Sequence, residues 1–221
     1  MFKNRLTRSR PGDIQVSVCL EAEDEFVTRS WPQEGGSVAV ARDPSGMTRQ
    51  LLLQLGAQDR ALLLRCALRH DAAGGLRLFW LGITHLGGTG PLILAAGLPW
   101  FACCQLHEAS ELALLALVLS HLVVQVIKRT VSRARPSTVD RLVRLVTEPD
   151  RFSFPSGHAT ASMSVALAYG AAFPNWSVPL LVMALLVGFS RVRLRVHYPS
   201  DVLVGQLIAI ITLVVLSSFM R

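Results

Sequence analysis

Aromatic residues are scarce in this chain, which has nine Phe, four Trp and two Tyr among 221 residues. With only 7% aromatics and long apolar runs, a nucleic-acid binder, the usual reading of a net charge of +7, is disfavoured. Cysteine is limited to Cys19, Cys66, Cys103 and Cys104, with no C-x-x-C pair and no Cys/His metal spacing. Cys103 and Cys104 are adjacent in an apolar run and read as small buried hydrophobes, so they say nothing about redox compartment. Carboxylate clusters are missing too. Asp140, Glu148, Asp150 and Asp201 lack metal-ligand spacing, and no metal or cofactor is expected. Neither a signal-peptide pattern nor an internal repeat is visible.

Apolar sequence is what the chain has in quantity. It is 51% hydrophobic with mean hydropathy +0.43, yet carries 22 Lys+Arg against 15 Asp+Glu. Apolar segments joined by basic loops predict a membrane protein, and the length suits one domain with a small extension. Residues 1–47 are polar and broken by Pro11, Pro32 and Gly35-Gly36, and are expected to form a poorly ordered extension. Met47 just precedes the first helical pattern, so translation starting there is one expectation. Residues 48–75 hold an amphipathic stretch (48–71), too charged to span, that is expected to lie at the membrane surface. From 76 to 221 the pattern predicts an all-α, polytopic transmembrane bundle of about five spans. These are placed near 88–106, 109–128, 154–173, 176–192 and 202–220, with Gln125, Ser156, His158 and Pro179 as interruptions.

Three short stretches lie at the ends of these spans: Lys128-x6-Arg135-Pro136, Pro155-Ser156-Gly157-His158, and Ser190-Arg191-x5-His197-x3-Asp201. If successive spans run antiparallel, all three emerge on one membrane face. Lys and Arg suit phosphoryl oxygens as a point charge and a donor fork. On a helical backbone the seven-residue spacing would put Lys128 and Arg135 on one side, with Pro136 breaking the helix. Pro155 to His158, just ahead of an apolar helix, reads as a helix N-terminus that favours an anion, and Gly157 lets backbone approach it. His197 and Asp201, four apart, can pair so that one ring nitrogen is held and the other is left as a nucleophile. Taken singly, each element has a plainer reading: a snorkelling cation, a structural turn histidine, a helix-start ion pair.

Jointly, the three stretches resemble the signature of the type 2 phosphatidic acid phosphatase (PAP2) superfamily, which also includes vanadium-dependent haloperoxidases. The K-x6-RP, PSGH and SR-x5-H-x3-D pattern stands here without a substitution, and the resemblance runs from about 58 to 219. It implies that His197 attacks phosphorus to form a phosphohistidine, that Asp201 orients it, and that His158 protonates the leaving oxygen and later activates water. It implies phosphate binding by Lys128, Arg135, Arg191, Ser156 and Gly157, without metal. The first span of many bacterial members is here replaced by the amphipathic stretch.

The implied substrate is a lipid phosphate met at membrane level, in a bacterial inner membrane, with no nucleic-acid partner. Undecaprenyl diphosphate ranks first on family frequency; phosphatidic acid, phosphatidylglycerophosphate and lipid A phosphate are the alternatives. A haloperoxidase-like oxidoreductase is disfavoured by the apolar spans, and a silent scaffold by the intact motifs. Seven cations besides the three in the motifs fall on the motif face (Arg129, Arg133, Arg141, Arg144, Arg151, Arg193 and Arg195), and the opposite turns have none. The positive-inside rule therefore predicts a cytoplasmic catalytic face.

Overall fold

The computed structural model describes residues 44–69, 72–102, 106–139, 146 and 150–219, all within one compact unit, 42–221. Expectations for residues 1–43, Cys19, Cys103, Cys104, Asp140, Arg141, Arg144 and Glu148 fall outside the described residues. The described chain is all helical: α1 (Pro44–Cys66), α2 (Gly74–Leu86), α3 (Thr89–Gly97) running into a 3-10 turn (Leu98–Phe101), α4 (His107–Val131), α5 (Pro136–Val139), α6 (Gly157–Ala172), α7 (Pro174–Arg193) and α8 (Pro199–Phe219).

α6 is the axis of the bundle, packed against α3, α4, α7 and α8. Its sequence, GHATASMSVALAYGAA, is small on every side, and nine of its 16 residues are buried. Small side chains let neighbouring backbones approach, which is how helices associate where lipid removes the hydrophobic drive between them. Gly205 of α8 lies so close to α6 that a Cβ there would be 2.7 Å from the Ser156 carbonyl oxygen. Hydroxyls add interhelical bonds: Ser120 Oγ with Ser164 Oγ at 2.9 Å, and Tyr169 OH donating to the Ala96 carbonyl at 3.0 Å.

The outward faces of α4 and α8 carry exposed Val118, Leu122, Val126, Leu203, Leu207, Ile210 and Val214. A rim of this kind is what a bilayer covers, and the chain is a multi-pass membrane protein. Among the described residues α4, α7 and α8 can cross by length and apolarity; counting α2 with α3 and its 3-10 turn as one span bent by 50° makes four. About five spans were expected. The difference lies in α6, whose 16 residues reach only about 24 Å, short of a ~30 Å hydrocarbon core. The span expected at 88–106 corresponds to the second half of the bent pair, and α2 is its first half.

One expectation is corrected. Lys128 and Arg135 do not share a helix, because α4 ends at Val131 and the chain turns through Ser132 in the left-handed region (φ 49°). Arg135 lies on the following loop. That loop is fastened to the segment before α6 by a bridge between Ala134 and Phe152 and by Ser153 N–H donating to the Arg133 carbonyl at 2.9 Å.

Gly205→Ala is expected to lower the detergent-solubilised melting temperature, whereas Gly90→Ala, where a Cβ meets open space, should leave it unchanged. Overpacking costs about 1–3 kcal/mol, and here the obstacle is backbone rather than a movable side-chain end, so the loss exceeds the gain in helix propensity.

Candidate active site

The helix ends expected to converge do so. Lys128 lies three residues before the end of α4, His158 in the first turn of α6, Arg191 in the last turn of α7, and Asp201 in the first turn of α8. Lys128, Gly157, His158 and His197 line one cavity of about 490 Å³ that opens between α3 and α4, with the α2–α3 kink at Gly87 on its wall. Arg135, Ser156, Arg191 and Asp201 are buried and do not line it.

His197 lies on the short connection from α7 to α8. The chain turns there through Arg195, at φ 63°, and the backbone N–H of His197 donates to the Arg191 carbonyl at 3.3 Å. Its ring is buried, with Nε2 3.5 Å from Arg135 Nη1 and Nδ1 3.5 Å from Asp201 Oδ2. The second distance is too long for a good hydrogen bond, and Nδ1 has no hydrogen-bond partner. Burial, and then Arg191, Arg135 and Lys128, hold the ring well below the ordinary histidine range. It is therefore neutral, with a nitrogen lone pair available.

Asp201 is fully buried and satisfied from other directions. Oδ1 accepts from Arg133 Nη1 at 2.7 Å, and Oδ2 from the Tyr198 backbone N–H at 2.9 Å. Arg133 also lies over the Tyr198 ring at 4.1 Å and donates to Asp59 of α1 at 2.7 Å. Burial opposes the Arg133 charge, but Asp201 and Asp59 outweigh it and raise its pKa. Asp59 in turn accepts from the Ser200 backbone N–H at 3.0 Å. α1 is thus tied to the site. Arg133, expected only as loop charge, and Asp59 were missed as site residues, and both act across long stretches of sequence.

A third missed residue is Asp150. Its carboxylate bridges the two cations expected to hold phosphate, accepting from Lys128 Nζ and from Arg135 Nη2, and its carbonyl accepts from Arg135 Nε at 3.2 Å. Burial by itself would raise its pKa, but the hydrogen bonds and charges of Lys128 and Arg135 prevail and hold it below the ordinary carboxylate range. An anion entering the cradle meets a carboxylate already there.

The remaining expected groups are placed as follows. Arg191 Nη1 donates to Thr84 Oγ1 of α2 at 2.6 Å, which joins the helix before the kink to the site. Ser156 stands at the N-cap of α6 and donates its backbone N–H to the Asp201 carbonyl at 2.9 Å, while its buried Oγ has no partner among the described residues. An unsatisfied buried hydroxyl costs about 1–3 kcal/mol, which a ligand oxygen can recover. Gly157 faces open space in the cavity. Among the described residues no cluster of three metal-ligating side chains occurs.

Comparisons with known proteins bear on the family and the fold. The PAP2 superfamily profile matches residues 112–221. Decaprenylphosphoryl-5-phosphoribose phosphatase of Mycolicibacterium smegmatis is 45% identical over 89 residues, 39% of this chain and 47% of that protein. The match thus spans about half the relative's length. Phosphatidylglycerophosphatase B of Bacillus subtilis is 37% identical over 156 residues, 61% of this chain and 72% of that one. The crystal structure of a PAP2-type phosphatidylglycerolphosphate phosphatase from Bacillus subtilis superposes with TM-score 0.62 at 28% identity, covering 75% of this chain and 86% of the other.

Two outcomes follow from the carboxylates. Asp150→Asn should release both cations and tighten inhibition by orthovanadate about tenfold, read from inhibition curves on any turned-over phosphate ester. Arg133→Met should lower kcat about tenfold or more with a smaller change in KM, because Arg133 holds Asp201 rather than the substrate. A fall confined to KM would contradict that role.

Proposed function

The chain belongs to the PAP2 superfamily, and from that premise we propose that it is a metal-independent membrane phosphatase that hydrolyses a lipid phosphate or diphosphate through a phosphohistidine. The observation that carries the reading is the meeting of Lys128, Gly157, His158 and His197 on one cavity, with Arg135 against His197 Nε2. The neutral His197 attacks phosphorus through Nε2, the bond from phosphorus to the leaving oxygen breaks, and His158 gives that oxygen a proton. Burial, then Lys128 and Arg135, lower the His158 pKa to about 4 without substrate, and the negative charge of the bound phosphate raises it to the protonated form this step uses. His158 then takes a proton from water, which attacks the phosphohistidine and releases phosphate while the P–N bond breaks. As the imidazolium forms, Asp201 closes on Nδ1; a loose pair before substrate binding is normal for such groups. Lys128, Arg135 and Arg191 stabilise the charge on the phosphoryl oxygens, the work a metal ion would otherwise do.

The relatives' names span several lipid phosphates: Decaprenylphosphoryl-5-phosphoribose phosphatase, Lipid A 1-phosphatase, Phosphatidylglycerophosphatase B and Undecaprenyl-diphosphatase. Undecaprenyl diphosphate stays a candidate on family frequency, beside phosphatidic acid, phosphatidylglycerophosphate and lipid A phosphate. The catalytic face is assigned to the cytoplasm. The charge excess behind that assignment is smaller than the sequence count, because Arg133, Arg193 and Arg195 are used by the fold, the last two on the carbonyls of Cys66 and Leu68. Exposed Arg129 and Arg151 keep it.

Purified protein with EDTA present should release phosphate from at least one of these lipids, and His197→Ala should reduce the rate at least a thousandfold. An unaltered rate in that variant would remove the mechanism, and loss of activity with EDTA the metal-free reading. For sidedness, Arg151→Cys on a background with the native cysteines replaced should resist an impermeant maleimide in intact cells. Ready labelling would turn the catalytic face outward.

A further inference from the structure

The cavity continues past the phosphate cradle along α4, and its wall there carries two polar residues, His121 and Gln125. They sit deep in a helix otherwise apolar on that side, with exposed Val118, Leu122 and Val126 around them. Polar side chains inside a membrane span are costly, and those that persist line ligand paths or bond other helices. These do not serve as glue between helices. Gln125 Nε2 bonds His121 Nε2 at 3.1 Å within α4, and no bond from either residue to another helix is found among the described residues.

We propose that His121 and Gln125 form a second subsite that binds a hydroxyl-bearing group, a sugar, between the scissile phosphate and the hydrocarbon chain of the substrate. Position gives the first support. Gln125 is three residues and His121 seven residues before Lys128, about 4.5 Å and about 10 Å along the helix axis. A group bonded directly to the phosphate lies in that interval, whereas in a plain prenyl phosphate the interval holds only hydrocarbon. The hydrogen-bond inventory gives the second. With the Gln125 amide N–H donating to His121 Nε2, the pair keeps Nδ1–H and one amide N–H as donors and Gln125 Oε1 as acceptor. With the amide turned over and Nε2–H donating to Oε1, it keeps both amide N–H groups as donors and Nδ1 as acceptor. Either arrangement offers donors and an acceptor together. Ester carbonyls and phosphate oxygens can use only the donors; a hydroxyl uses both kinds. The cavity, about 490 Å³, has room for a ring beside a phosphate.

The inference rests on the phosphatase reading and narrows its substrate class. The experiment compares two synthetic amphiphiles with the same tail, dodecyl glucoside 6-phosphate and dodecyl phosphate, with dilauroyl phosphatidic acid as a third. The readout is the ratio of kcat/KM for the sugar phosphate to that for each of the others, in mixed micelles. Wild-type protein should favour the sugar phosphate, and His121→Leu/Gln125→Leu should lower both ratios about tenfold, mainly through KM for the sugar. The single variants, read the same way, decide the matter if the double variant does not assemble. His121→Gln, which keeps a donor and an acceptor, should hold the ratios within about threefold of wild type. Ratios that do not move on loss of the pair, or a wild-type preference for dodecyl phosphate, would overturn the subsite. A fall for phosphatidic acid as large as that for the sugar would reassign it to carbonyl recognition and overturn it equally. Release of phosphate from none of the three by wild type would instead count against the phosphatase reading itself.

Discussion

Asp201 is a carboxylate buried completely at the start of a membrane helix, and the arrangement of the catalytic end follows from satisfying it. A buried charge without partners is too costly to persist. Asp201 has the Arg133 guanidinium on one oxygen and the Tyr198 N–H on the other. Arg133 needs the loop after α4 to come within reach, and its second branch recruits Asp59 from α1. The Asp201 carbonyl holds the backbone of Ser156, so the first turn of α6 is set by the same residue. The loop after α4, the start of α6 and the start of α8 are thus held together by one network centred on Asp201.

The cradle shows how three permanent cations can be concentrated at the end of a bundle without a ligand. Their mutual repulsion would be large in a low-dielectric surrounding. Asp150 offsets it by bridging Lys128 and Arg135, and Thr84 accepts a hydrogen bond from Arg191. A phosphate has to take over these partners, which favours a dianion with several oxygens over a carboxylate. Burial first, and then the same charges, hold His197 neutral, so in the proposed mechanism cation clustering would serve both substrate binding and the nucleophile.

Much of the chemistry was legible along the chain because its parts are local. His197 and Asp201 are one helical turn apart in sequence, and Ser156 to His158 form a helix start within four residues. Antiparallel spans then bring the separate stretches to one end. The fold class was legible for the same reason, since apolar runs and basic connections are properties of short windows. Where the reading failed, a single backbone choice intervened. Nothing in Lys128 to Arg135 announces that α4 stops at Val131, because Ser132 rather than glycine takes the left-handed position. The kink between α2 and α3 likewise hid half of a span behind a glycine-rich stretch.

Sequence by itself determined that this is a helical membrane protein and which cations, histidines and carboxylate stand at its helix ends, because both depend on neighbours within a few turns. Tertiary structure alone decided how those residues are held. Arg133 finds Asp59 across 74 positions, Arg191 finds Thr84 across 107, and Ser200 finds Asp59 across 141. It also put Asp150 into the cradle and aligned His121 and Gln125 with the cavity. Such contacts depend on the packing of whole helices, where a shift of one turn changes every partner, and no spacing along the chain encodes them.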